Sequence, residues 1–370
     1  MTPRPRPHIA DLAPVYHGSV TDAELAGLGL TRDEVIDFSV NTNPLGPPPA
    51  AVTAARRARW THYPDDTAAP LRRELAEREG RAEDEVIVGN GSAELIWLVA
   101  LAFLDPGDAA VVVGPTFGEY ARAIRVVGAV VHEERADPTS GFTVDPLAVV
   151  ERVLAVAGRV VFLCNPNNPT GTLLPPSAVG ALADAVPESL IVVDEAYRQF
   201  VDEPPPSASL LGRGNVVLLR SLTKDYALPG LRLGYALAPA SICAALDRVR
   251  PPWSVNAVAQ AAGLAALRET THLEEARDEV RRARTYLSAA LGALGLPVLP
   301  SAANYLLVGV GDARSVRAAL LRRGVCVRDC TSFGLPEYVR VGLRTVPECE
   351  RLVAAFAAPE VREVAGSVGG

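Results

Sequence analysis

An α/β fold with a mostly parallel sheet, followed by a smaller second α/β unit, is predicted by three features of the sequence. Short apolar runs at 109–113, 160–164, 190–193 and 216–219 alternate with stretches of helical periodicity. Such runs suit strands buried on both faces, as in parallel sheets covered by helices. Polar residues follow these runs and the one at 85–88, at Gly91-Ser92, Asn165 to Gly171, Asp194 and Ser221 to Lys224. Open α/β sheets carry their functional groups just beyond the carboxyl ends of strands. After Pro300 a new β-α-β-β-α rhythm begins.

The elements follow in chain order. Residues 1–14 are proline-rich and need another element to tie them down. Charged and apolar residues at helical spacing predict a helix over 68–81. The β-rich run 85–88 leads into Gly89-Asn90-Gly91-Ser92, and 93–104 reads as an apolar helix closed by Asp105-Pro106-Gly107. A strand at 109–113 and a helix at 119–127 come next. The strand at 160–164 is stopped by Asn165-Pro166-Asn167-Asn168-Pro169, which forces a turn. A helix over 177–185 and strands at 190–193, 216–219 and 233–237 complete the larger unit. Residues 203–209, with three successive prolines, read as a surface loop. The helix over 272–294 carries opposite charges three and four apart, a solvated or linker pattern. The second unit has strands at 305–308, 325–328 and 338–343 and helices at 313–323 and 347–356. The last dozen residues read as frayed. The expected division is an N-terminal arm (1–45) joining the small domain, a large domain (46–255) and a small C-terminal domain (256–370).

Composition narrows the function. The 370 residues are 49% hydrophobic and 21% charged, enough for a large core. A net charge of −7 with no basic stripe argues against nucleic acid. The apolar run at 95–104 is too short to span a bilayer. The N-terminus has no apolar core and does not read as a signal peptide. Five scattered cysteines, without a Cys-x-x-Cys pair or a standard ligand spacing, predict reduced thiols, a cytoplasmic protein and no metal centre.

The chain contains one lysine, Lys224, among 36 Lys and Arg residues. Unlike arginine, lysine can lose its proton and form an imine. Composition alone leaves two possibilities open, a Schiff-base lysine and a surviving surface lysine. The strand-end residues favour the first. Asp194 ends an apolar strand and needs a cationic partner. Asn168 offers a donor from a turn. Gly91-Ser92 opens a helix whose free N–H groups suit a phosphate. Ser221, Thr223 and Arg232 add hydroxyls and a bidentate cation. Pyridoxal phosphate needs all of these, because it has a phosphate, a pyridine nitrogen, a phenolic oxygen and an aldehyde.

Three motifs then carry a family resemblance: Asn165-Pro166-Asn167-Asn168-Pro169-Thr170-Gly171, Asp194-Glu195-Ala196-Tyr197, and Ser221-Leu222-Thr223-Lys224 with Gly230-Leu231-Arg232-Leu233-Gly234-Tyr235. In this order they resemble fold-type-I pyridoxal-phosphate enzymes of the aminotransferase class I/II superfamily. The nearer likeness is to the threonine-phosphate decarboxylase and histidinol-phosphate aminotransferase branch. The resemblance spans about residues 15–356. It implies a large domain with a mostly parallel seven-stranded sheet and a smaller α/β domain.

The resemblance also implies roles. Lys224 is the Schiff-base lysine and proton carrier, Asp194 pairs with the pyridine nitrogen, and Asn168 and Tyr197 bond the ring's 3-oxygen. Ser92, Ala93, Ser221, Thr223 and Arg232 hold the cofactor phosphate, and Phe117 stacks on the ring. Tyr63 reaches the phosphate of a neighbouring subunit, which implies a homodimer with shared sites. Arg340 grips an acidic group of a small phosphorylated amino-acid or amino-alcohol substrate, with Arg328, Asn43 and His17 as helpers. Taken alone, Phe117 suits a core, Tyr63-Pro64-Asp65 an ordinary turn, the two arginines surface ion pairs, and His17 a structural role.

Wording within the branch tilts towards decarboxylation of O-phospho-L-threonine to (R)-1-aminopropan-2-yl phosphate, a step of cobalamin biosynthesis. The tilt comes from Tyr16-His17-Gly18, from 37–46 (Asp37-Phe38-Ser39-Val40-Asn41-Thr42-Asn43-Pro44-Leu45-Gly46), from 252–256, and from 332–341. Ser19 departs from it where a second glycine is expected in the phosphate pocket, and Val327-Arg328-Asp329 is closer to the wording of the alternative, an aminotransferase acting on histidinol phosphate or another amino acid. A third possibility, a regulatory module that keeps the fold without turnover, sits poorly with the retained Lys224 and Asp194.

Overall fold

The computed structural model describes residues 2–10, 12, 14–15 and 18–365. Twelve strands occur among them: β1 (Ile36–Asp37), β2 (Val86–Gly89), β3 (Ala109–Gly114), β4 (Val130–Arg135), β5 (Val160–Cys164), β6 (Leu190–Asp194), β7 (Val216–Arg220), β8 (Gly234–Leu237), β9 (Tyr305–Gly309), β10 (Val325–Cys326), β11 (Arg328–Asp329) and β12 (Tyr338–Gly342). Seven form one sheet in the order β2-β8-β7-β6-β5-β3-β4. Only β8 runs against its neighbours, so the sheet is the mostly parallel one expected.

The strands alternate between two cores, as a pleated sheet buried on both faces must. Val161, Leu163, Ile191 and Val193 face one core. Val160, Phe162, Leu190 and Val192 face the other, together with Tyr120. Asp194 follows the second parity, so the strand's own alternation points its carboxylate to the side where Tyr120 lies.

The second unit is built on an antiparallel sheet, β11-β12-β9. The N-terminal arm reaches it through β1, which pairs in parallel with β10. The helix Thr270–Ala293 bridges the two units: Leu273 packs in the first core, and Ala276, Val280 and Ala283 pack in the small-unit core.

Several expectations need correction. The strand expected over 325–328 is split at Val327 into β10 and β11, which belong to different sheets. The C-terminal stretch expected to fray includes a helix, Pro359–Val364, with Val361 buried. Pro7–Ala10 is a helical turn, and His8 Nε2 lies 3.2 Å from the carbonyl of Val126. Strand β4 escaped detection because it is an edge strand with mostly polar, half-exposed residues (Val-Val-His-Glu-Glu-Arg), so its apolar signal is weak. The helices Pro49–Arg57, Pro146–Val156, Ala240–Val249 and Ala257–Leu267 were also missed. All five cysteines are buried free thiols. No helix among the described residues is long and apolar enough to cross a membrane.

Candidate active site

The carboxyl ends of β2, β3, β5, β6 and β7 open on one side of the large sheet, where they meet the small unit across a cavity of about 550 Å3. Lys224 lies in its floor, on a short helix (Leu222–Asp225) directly after β7. Arg220, the last residue of β7, anchors this loop from behind. Its guanidinium pairs with Glu79 and, at 3.0 Å, with Glu195. Asn43 holds the loop from the arm: its N–H donates to the Lys224 carbonyl at 3.0 Å and its Nδ2 to the Asp225 carbonyl at 2.9 Å. Burial, reinforced by the charges of Arg340 and Arg232, pushes the Lys224 ammonium down to about 8.

Asp194 is 4% exposed. One carboxylate oxygen accepts the Ala196 N–H at 3.0 Å, and the other accepts the Tyr120 hydroxyl at 2.7 Å. Burial raises its pKa; the Tyr120 and Ala196 hydrogen bonds oppose that rise. Tyr120 is itself fully buried, stacked on Phe162 with centroids 5.2 Å apart.

At the other end, Gly91 (φ 80°) turns the chain into the helix Ser92–Phe103. A Cβ at Gly91 would sit 2.8 Å from Arg232 Nη2, so only glycine lets the guanidinium close over this turn. The free N–H groups of Ser92 and Ala93 thus face the same corner as Ser221, Thr223 and Arg232, all lining the cavity. That set of donors fits a phosphate.

Arg340, on β12, crosses the gap between the units. It donates to Asn168 Oδ1 and, at 2.6 Å, to the Ser39 carbonyl, and it lies over the Tyr305 ring at 5.5 Å. With its oxygen turned to the guanidinium, Asn41 accepts from Arg340 Nε and Nη1 at 3.2 Å. These bonds orient Asn168 with its amide nitrogen as the donor left for the cavity. Burial pushes the Tyr197 hydroxyl up to about 12, so it stays a donor at neutral pH.

Phe117, Tyr197, Asn168 and Arg328 also line the cavity. Two expected residues, Tyr63 and Asn43, do not. Tyr63 lies outside it, 81% exposed and 4.5 Å from the Trp253 ring. Asn43 is engaged with the lysine loop, and its Oδ1 accepts the Leu45 N–H, so it supports Lys224 from behind. His17 falls outside the described residues. Sequence reasoning missed Tyr120, Ser39, Asn41, Glu119 and Arg122. Tyr120 lies one helical turn beyond Phe117, but nothing local says that it meets Asp194.

The profile of the aminotransferase class I and II family matches residues 33–356. The chain belongs to this family. As a member it is a pyridoxal-phosphate-dependent aminotransferase. It is 42% identical over 358 residues to a histidinol-phosphate aminotransferase of Symbiobacterium thermophilum, covering 95% of this chain and 98% of the relative. A histidinol-phosphate aminotransferase of Moorella thermoacetica is 37% identical, with 96% and 92% covered. Among solved structures, the Sinorhizobium meliloti histidinol-phosphate aminotransferase in complex with pyridoxal-5′-phosphate superposes with a TM-score of 0.86 at 25% identity, covering 98% of both chains. Aspartate aminotransferase from Thermus thermophilus with maleate gives 0.82 at 27% identity, covering 96% of this chain and 99% of its own.

These relatives overturn the expected decarboxylation of O-phospho-L-threonine, and with it the place in cobalamin biosynthesis. The physical reason lies in the segment 37–46 that suggested it. Ser39 and Asn41 hold Arg340, and Asn43 holds the lysine loop. Both reactions need that scaffold, so its wording does not discriminate between them.

Proposed function

We propose that the chain is a histidinol-phosphate aminotransferase, moving the amino group of histidinol phosphate to 2-oxoglutarate. The observation that carries this reading is the 42% identity, over 95% of the chain, to a relative of that activity.

The residues of the cavity fit the cofactor. Ser92, Ala93, Ser221, Thr223 and Arg232 would hold its phosphate, and Phe117 would stack on its ring. Asn168 and Tyr197 would donate to its 3-oxygen, and Asp194 would pair with its ring nitrogen. When bound, pyridoxal phosphate supplies a carbonyl for covalent attachment and a ring that takes up electrons from the substrate. Asp194, its carboxylate positioned by two donors, would pair with that ring's nitrogen and keep it charged. Lys224, with its pKa brought down to about 8, takes and returns a proton at Nζ near neutral pH. Arg340, already oriented by Asn41 and Ser39, grips the acidic group of the substrate, with Arg328 beside it.

Two arms test the reaction. Purified holo-protein given histidinol phosphate and 2-oxoglutarate should form glutamate. No glutamate there, with turnover of another amino donor, would assign a different substrate. Supporting a homodimer with shared sites, Tyr63, Trp60 and Trp253 are exposed close together in sequence or space. Light scattering should then give the mass of two chains, and a single-chain mass would remove the role of Tyr63.

Tyr120→Phe keeps the ring that packs on Phe162 but removes the donor to Asp194. Losing one charge-assisted hydrogen bond should weaken cofactor affinity by about 10- to 100-fold. Equilibrium dialysis of the cofactor checks this, and unchanged affinity would mean that Tyr120 only fills space.

A further inference from the structure

Four arginines line the cavity, and three have evident settings. Arg232 closes over the Gly91 turn. Arg340 is held by Asn168 and Ser39. Arg328 donates to the Ser332 hydroxyl at 2.7 Å and lies 5.2 Å over the Phe333 ring. The fourth, Arg122, is on the helix Glu119–Val126. Its guanidinium sits 5.9 Å over the Trp97 ring. The Trp97 indole N–H donates to Glu119 Oε2 at 3.2 Å, and Glu119 Oε1 lies 3.6 Å from Arg122 Nη1. That separation makes an ion pair but is too long for a hydrogen bond. Arg122 Nε is buried with no hydrogen-bond partner among the described residues.

Arg122 is thus held by a ring face and a nearby carboxylate while its Nε–H stays unsatisfied. A buried N–H without an acceptor costs free energy that an incoming anion can recover. Its side chain is 34% exposed, and it lines the same cavity as Val15 and Ser19 of the arm. Arg328 and Ser332 reach the same cavity from the small unit. A phosphate monoester carries close to two negative charges near pH 7. The cofactor's phosphate already draws on Arg232 and its hydroxyls, so a second phosphate in the cavity needs cations of its own.

We propose that Arg122 is a specificity-determining residue that grips the phosphate of the substrate from the large unit, facing Arg328 across the cavity. This rests on the phosphorylated substrate proposed above. The planar fork of arginine suits a phosphate in a way that a lysine point charge does not.

The test uses holoenzyme and the variants Arg122→Gln and Arg122→Lys. The specificity ratio, kcat/KM for histidinol phosphate over that for histidinol, should fall about 10- to 100-fold in Arg122→Gln, chiefly through KM. Arg122→Lys should recover part of the loss. A ratio within about 2-fold of the parent, or equal losses with both substrates, would show a merely structural residue and overturn the proposal. If the parent enzyme fails on histidinol phosphate, the substrate reading falls, and Arg122 is decided separately. Inorganic phosphate is then titrated as an inhibitor against whichever amino donor is turned over. Inhibition weakened about 10-fold in Arg122→Gln upholds the anion site, and unchanged inhibition removes it.

Discussion

Lys224→Ala is expected to abolish covalent retention of the cofactor and to lower turnover by at least about 10³-fold. The variant loses both the amine that attaches the cofactor and the group that carries the proton. Retained visible absorbance through gel filtration, or turnover close to the parent, would refute both roles. The single lysine makes a companion measurement clean. Borohydride reduction of holo-protein should label Lys224 in peptide maps, and the only other amine in the chain able to compete is the N-terminus.

The same residue sets a pH dependence in the cofactor-free protein. Its folded pKa, about 8, lies below the ordinary 10.5. A depressed pKa gives stability that is fully present above 10.5 and lost as the pH falls through 8. Holding this amine therefore costs stability at pH 7, by up to about 3 kcal/mol, less whatever the partial exposure of Lys224 to the cavity screens. Lys224→Met should raise the cofactor-free unfolding midpoint at pH 7, and the gain should fade towards pH 10.5. A gain independent of pH would point to packing instead of charge.

Asp194→Ala carries the second large effect. Removing one member of a buried charge pair costs about 3–5 kcal/mol, which corresponds to roughly 10²- to 10⁴-fold in rate if it is felt in the transition state. Rates within a few-fold of the parent would show that Asp194 does not keep the ring charged. Asp194→Asn separates charge from packing, because its amide oxygen can still accept from Tyr120 or Ala196. In the cofactor-free protein the raised pKa of Asp194 gives stability that is present below about pH 4 and lost as the pH rises. Asp194→Asn should therefore stabilise the cofactor-free form at pH 7 and lose that advantage in acid, while it weakens the holoenzyme. A loss in both forms at every pH would identify a structural aspartate.

Much of the fold could be read from local pattern. Strands β3, β5, β6 and β7 are short apolar runs with turn residues behind them, and each lies within a residue of its expected bounds. Where that pattern is absent, the reading failed. Edge strand β4 is mostly polar and buries none of its side chains fully, and the β10–β11 split depends on which sheet each half joins. The choice between two reactions failed for a related reason. The words at 37–46 looked like a signature of chemistry, but they are the back wall of Lys224 and Arg340.

The sequence by itself determined the chemical kit: one lysine after a strand, an aspartate ending another, and a glycine turn opening a helix for phosphate. Strand ends and helix starts are local events, set by apolar runs and turn residues within a few positions. Only the tertiary structure decided how these groups are wired. Tyr120 and Asp194 are 74 residues apart, Arg340 and Asn168 are 172 apart, and Arg340 and Ser39 are 301 apart. No local pattern specifies such pairs. They form because the sheet's alternation, the crossing of the small unit and the return of the arm bring distant side chains to one cavity, where burial makes each partner's hydrogen bond count.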